Sequence, residues 1–199
     1  MLDPHWVFAA ALLGVVGSIR YAIAIVRGAV RPNLVTWSLW AAAPLIAFFA
    51  QLDSGVGLPA VMTLAAGAGP LIVIITSMIT RRHYAHLNII DLVCAGVAVA
   101  ALTVWLGLGA APLAVLFAVA ADAIAAIPTL VKAWRHPDSE NIFFFVLVGV
   151  AATITLLTLT AWTPQSFAFA VYQLSICLIL TTLIATRRHA HQRSPSRRA

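Results

Sequence analysis

Seven apolar stretches of membrane-spanning length limit what this chain can fold into. They cover residues 6–26, 33–50, 57–80, 88–107, 111–132, 142–161 and 166–185, and a spanning helix needs about 20 mostly apolar residues. Apart from the short connections between them, only the first five residues and the tail after Thr186 clearly lie outside. The chain is 62% hydrophobic and 9% charged, against roughly 45–50% and 25% in soluble domains. A chain of 199 residues could bury a core but not all of that apolar surface. The expected class is therefore an all-α integral membrane protein. The N-terminus carries Asp3 in place of a positive n-region and no distinct cleavage site, so the first stretch is read as a permanent helix rather than a signal peptide.

The basic residues predict how the helices alternate. Arg27 and Arg31 fall between stretches one and two, Arg81 and Arg82 between three and four, and Lys132 and Arg135 between five and six. Arg187, Arg188, Arg193, Arg197 and Arg198 follow stretch seven. With seven spans all eleven share one side, and the other side has only Asp3 and Asp53. Lys and Arg near helix ends stay on the cytoplasmic side, so the N-terminus is expected outside the plasma (inner) membrane and the C-terminus in the cytoplasm. The formal charge of +6 then reflects topology and contact with anionic lipid rather than nucleic acid. The tail, residues 187–199, reads as a disordered basic segment.

An internal echo divides the chain. The segment Ile19 to Pro44 is followed about 108 residues later by a weaker copy, Ile127 to Ala152, in which Arg27 pairs with Arg135 and Asn33 with Asn141. This predicts two parallel three-helix bundles, residues 1–82 and 111–186, joined by a linker helix over 83–110. An odd linker is required for the second bundle to have the orientation of the first. In the second helix Asn33, Trp37, Trp40 and Pro44 recur at spacings of four, three and four, which places them on one face, and Pro44 removes an internal hydrogen bond. The third helix carries the small-residue run Ala65 to Pro70, which lets backbones approach closely. Asp91, within a turn of the start of the fourth helix, suits the positive end of the helix dipole and is read as structural.

Cys94 and Cys177 fall inside apolar helices, with no disulfide or metal spacing. His83 and His86 could share a face but lack a Cys or carboxylate partner, so no metal site is expected. There is no Gly-x-Ser-x-Gly, His-Glu-x-x-His or Asp-rich motif, which argues against an enzyme and requires no cofactor. Residues 166–185 contain no lysine, which sets aside a retinal photoreceptor.

Ile127-Pro128-Thr129, with Lys132, Arg135 and Ser139 downstream, resembles the PQ-loop superfamily, which includes the SWEET-like sugar transporters. In that group a Pro-Gln pair ends the first helix of each triplet, followed by a basic loop and a serine. Here Thr129 stands in place of the Gln, and in the first triplet Arg20 and Tyr21 stand in place of Pro and Gln. The resemblance implies a 3+1+3 plan and alternating access around a midplane cavity between the triplets. It implies a transporter of a small polar solute, a sugar first, an amino acid or vitamin next. A non-transporting receptor or scaffold of the same fold is the alternative, and a homo-oligomer is a further candidate assembly.

The residues expected at that depth are Arg20, Trp40, Asp122, Tyr172 and Gln173, with Trp37, Asn33 and Asn141 towards the cytoplasmic mouth. Trp40 offers a flat ring face and Gln173 both donor and acceptor. In the family a tryptophan and an amide contact the sugar, and these two are the nearest candidates. Helix packing is an equal reading for Trp40, and an interhelical hydrogen bond for Gln173. Arg20 and Asp122 are the two charges well inside the spans. They differ in expected depth by roughly 5 Å, and the two-fold plan would set them across the cavity as an ion pair. The competing reading has Arg20 reaching the cytoplasmic surface and Asp122 hydrogen-bonded locally.

Overall fold

The structure is a computed structural model that describes residues 2–83, 85, 87–137 and 142–192, the last three by their backbone alone. Among the described residues every regular element is helical: α1 (Trp6–Val26), α2 (Leu34–Asp53), α3 (Ala60–Thr80), α4 (Ile89–Leu102), α5 (Ala111–Arg135), α6 (Ile142–Thr158) and α7 (Pro164–Gln192). A π-helical turn, Thr103–Gly107, prolongs α4. Six of these, α4 counted with its π turn, are long and apolar enough to cross a membrane, while α6 is shorter at 17 residues.

Local chemistry sets the helix ends. Asn33 caps α2, its Oδ1 accepting the Val35 N–H at 3.2 Å. Asn88 caps α4 by accepting the N–H groups of Ile90 and Asp91 at 2.8 and 3.1 Å. The Asp91 carboxylate accepts the Asn88 N–H in return at 3.0 Å. This reciprocal box satisfies the orphan donors of the first turn and gives Asp91 the structural role expected of it. Helix α3 ends on Arg81 in the left-handed conformation, φ 54°. Past the end of α1, Gly28 takes φ 77°, where only glycine avoids a Cβ penalty.

The burial pattern is inverted relative to a water-soluble protein. The interior is rich in small residues, among them Ala10, Ala43, Ala47, Ala118, Ala121 and Ala152. Large apolar side chains point outwards, with Ile79 76% and Leu108 75% exposed. In hydrocarbon nothing drives large apolar groups inwards, and association relies on close backbone contact through small residues. The run in α3 works this way. A Cβ on Gly67 would sit 2.7 Å from Leu45 of α2, and one on Gly69 would collide with the Ser18 hydroxyl of α1.

Helix α3 packs on both α1 and α2, and α7 packs on both α5 and α6. Across the bundle α2 packs on α5, and α1 on α6. Helix α4 lies to the side against α5, with a lesser contact to α2.

The two ends of the bundle differ chemically. At one end Arg82 Nη1 donates to the carbonyls of Ile25 and Val26 at 3.0 and 2.7 Å. At the same end Arg187 Nε donates to the carbonyl of Trp134 at 3.1 Å, and Arg188 donates from Nε and Nη2 to that of Pro137. These arginines satisfy carbonyls at the negative ends of α1 and α5. At the other end Trp105 Nε1 donates to Asp53 at 3.0 Å, Gln51 Nε2 donates to the Gln165 carbonyl at 2.9 Å, and the Leu2 N–H meets the Leu157 carbonyl at 2.9 Å.

One expectation changes. Helix α7 continues to Gln192, so residues 187–192, expected to be disordered, are helical; Arg187 and Arg188 are held by backbone carbonyls of α5 and its following turn. His83 Nδ1 lies 3.0 Å from the Ser77 carbonyl and is occupied in finishing α3. Its suggested partner His86, like Ser139 and Asn141, lies outside the described residues.

Candidate functional site

One cavity lies among α1, α2, α3, α5, α6 and α7, and α4 contributes nothing to its walls. It offers about 100 Å³ to water-sized molecules. That is room for several waters, and less than the roughly 300–1,000 Å³ of drug-sized ligand sites.

The walls follow from helical spacing. On α1 the cavity face is Ala10, Gly14 and Ser18, each four residues apart. On α2 it is Trp37, Trp40 and Pro44, the face expected from their spacing. Pro70 of α3 also faces the cavity, so two helices present a proline to it, each at a point where a backbone hydrogen bond is missing and bending is eased. Helix α5 supplies Asp122 and Ala126, and α6 supplies Phe144, Phe145 and Val148. From α7 come Tyr172, Gln173 and Cys177.

Several lining residues fall in pairs 108 residues apart, the interval read for the echo. Gly14 and Asp122, Ser18 and Ala126, Trp37 and Phe145, Trp40 and Val148, and Ala65 and Gln173 are each separated by the same interval, and both members of every pair line the cavity.

The polar chemistry is sparse. Asp122 is buried and its carboxyl is hydrogen-bonded by the Tyr172 hydroxyl. Gln173 Oε1 is buried without a hydrogen-bond partner among the described residues. Ser18 is turned to its own helix, its hydroxyl donating to the Gly14 carbonyl at 3.2 Å. The aromatic groups form two corners. Trp37 and Trp40 have centroids 5.4 Å apart at 80°, and Phe144 and Phe145 have centroids 5.4 Å apart at 78°. Trp37 also packs on Tyr21 at 4.7 Å. Among the described residues no Lys, Arg or His lines the cavity. Among the described residues no three His, Cys, Asp or Glu side chains are grouped as a metal would require.

Of the expected site residues, Trp37, Trp40, Asp122, Tyr172 and Gln173 meet in this cavity. Arg20 and Asn33 do not. Arg20 is exposed, with its guanidinium carbon 4.8 Å from the centre of the Phe143 ring near the start of α6. It lines a separate shallow groove with Ile23, Ala24 and Arg27. The expected ion pair with Asp122 is therefore absent. Arg20 lies two residues past Ser18, and at about 100° per residue that turns it to the opposite side of α1 from the cavity. Its long side chain lies near the basic end of the bundle, where a charge is least costly. Asn33 is engaged as the cap of α2. Asn141 cannot be placed, being outside the described residues. Sequence reasoning missed Ser18, Phe144 and Phe145. The four-residue spacing of Ala10, Gly14 and Ser18 was the available signal for the first, and the interval that leads from Trp37 to Phe145 for the last.

Comparisons with protein-family models, with curated proteins and with solved structures each find no match.

Proposed function

We propose that the chain is a seven-span membrane carrier of PQ-loop or SWEET-like type that moves a small polar solute by alternating access between two three-helix bundles. The observation that carries this reading is the cavity. It lies between α1–α3 and α5–α7, excludes α4, and is lined by pairs of residues at the interval of the sequence echo.

The packing supports the two-bundle plan. If α1, α2 and α3 correspond to α5, α6 and α7, the contacts of α3 with α1 and α2 match those of α7 with α5 and α6. The cross-contacts α2 with α5 and α1 with α6 then exchange with one another, as a two-fold axis along the bundle requires. The arginine caps follow the same rule: Arg82, just past α3, serves α1, and Arg187 of α7 serves α5.

Seven crossings are supported by where α6 begins and ends. Helix α5 finishes at the arginine-rich end, whereas Leu157 of α6 meets Leu2 at the opposite end. At about 1.5 Å per residue α6 is roughly 26 Å long, close to the ~30 Å hydrocarbon core. With the arginine-rich end in the cytoplasm, the N-terminus is outside the plasma membrane. The prolines in the cavity walls are suitable bending points for opening either end.

Uptake into proteoliposomes tests the reading. A panel of small polar solutes, sugars, amino acids and vitamins included, is offered to the purified protein with thermal stabilisation read in parallel. A stabilising solute that is also taken up supports the carrier. Stabilisation without uptake would make the protein a receptor.

A further inference from the structure

We propose that the solute held in this cavity is a small organic cation, an ammonium bearing at least one N–H and no carboxylate. This rests on the carrier reading in taking the cavity as the place where the solute sits.

Three independent features point the same way. The first is charge. Asp122 is the one ionisable carboxyl among the described lining residues, and no described Lys, Arg or His accompanies it. The arginine that would have neutralised it, Arg20, is exposed on the far side of α1. A carboxylate offers about four acceptor positions, and among the described residues Tyr172 is the one side chain donating to this one. A carboxylate so enclosed is costly unless a partner charge arrives. The second is the aromatic geometry. Trp37 with Trp40 on α2, and Phe144 with Phe145 on α6, present ring pairs set nearly at right angles. Ring faces attract a cation, tryptophan most strongly, and more so when water is excluded. The third is the buried Gln173 Oε1, an acceptor with no donor. An unmet buried acceptor is costly, and an N–H on the solute would meet it.

The same features select against other solutes. A hexose needs many hydroxyl partners, and the polar groups of the lining, the side chains of Ser18, Asp122, Tyr172 and Gln173 with the indole N–H groups of Trp37 and Trp40, are few for that purpose, with Ser18 already bonded to its own helix. An amino-acid zwitterion brings a carboxylate, for which the cavity holds no cation. The room available, about 100 Å³, suits an amine of a few heavy atoms.

The test uses the full chain in detergent, with trimethylammonium chloride as probe and tert-butanol as its neutral near-isostere. Equal sodium chloride controls for ionic strength, and glucose is run alongside. Trimethylammonium is expected to raise the melting temperature in a saturable way, and the other three are not. Asp122→Asn keeps a group that can accept from Tyr172 and is expected to weaken binding about tenfold or more. Arg20→Ala is expected to leave binding unchanged. Gln173→Leu should lower affinity for trimethylammonium and not for tetramethylammonium, which has no N–H. This variant keeps the test decisive should Asp122→Asn fail to fold. Stabilisation by tert-butanol or glucose equal to that by trimethylammonium would overturn the proposal, as would unchanged binding in Asp122→Asn. Flux separates the two readings. Trimethylammonium binding without uptake into proteoliposomes keeps the cation site and removes the carrier, and glucose uptake without cation binding does the reverse.

Discussion

Arg82 and Val26, 56 residues apart in sequence, meet at 2.7 Å, the guanidinium Nη1 donating to the last carbonyl of α1. The same nitrogen reaches Ile25 at 3.0 Å. A cation on the negative end of a helix and a donor to its last carbonyl act together here. Arg82→Ala is expected to lower stability by about 1–2 kcal/mol, read by thermal unfolding in detergent. Arg187→Ala should act similarly on α5, with losses that add, because the two caps serve different helices with no shared partner. A non-additive pair would mean the two caps are coupled.

Gly28 belongs to the same arrangement. Its φ of +77° suits glycine, and a Cβ there would lie 2.6 Å from Arg82 Nη1. Gly28→Ala should cost at least about 1 kcal/mol from the left-handed backbone alone, and should make a following Arg82→Ala nearly silent. A full Arg82→Ala loss in that background would show that Gly28 does not position the guanidinium.

The close packing of α1 on α3 predicts a rescue. Gly69→Ala drives a methyl group onto the Ser18 hydroxyl, and overpacking of this kind costs about 1–3 kcal/mol. Ser18→Ala removes the obstructing oxygen and leaves the Ser18 Cβ at 3.4 Å, an ordinary contact. The double variant should therefore melt closer to the parent than Gly69→Ala does. Equal melting of single and double variants would contradict the geometry.

Helix α4 offers a control far from the cavity. Asn88→Ala breaks the box with Asp91 and should cost about 1 kcal/mol, with solute binding unchanged. Altered binding would tie α4 to the site.

Much of this arrangement is written in the sequence because hydrocarbon enforces simple rules. Spanning helices must be long and apolar, and the helix starts at Trp6 and Leu34 fall within a residue of the apolar stretches read for them. The face carrying Trp37, Trp40 and Pro44 was legible from spacing alone, and those three do line the cavity. That Asp91 is structural was legible from its place in the first turn, though its reciprocal bonds with Asn88 were not. Side-chain direction was harder. Depth and the two-fold plan suggested that Arg20 and Asp122 meet, but neither fixes which way a side chain turns about its own helix, and two residues past Ser18 turn Arg20 away. Partners supplied by distant helices were not legible at all. Nothing local to Asp122 indicates Tyr172, and nothing local to Arg82 indicates Val26.

Span count is tested by side-specific labelling. Cysteines at Ser54 and Gln192, in a background with Cys94 and Cys177 replaced by serine, should react with an impermeant thiol reagent from opposite faces of oriented vesicles. Reaction of both from one face would contradict seven crossings.

Alternating access at the shared cavity is the central claim, and a single cysteine there tests it most directly. Ala65 lines the cavity from α3 and stands 108 residues before Gln173, which lines it from α7. With Ala65→Cys in the same serine background, the account predicts modification by an impermeant reagent applied to either face of the membrane, and slowing from both faces when trimethylammonium occupies the site. Modification from one face alone under every condition would contradict it.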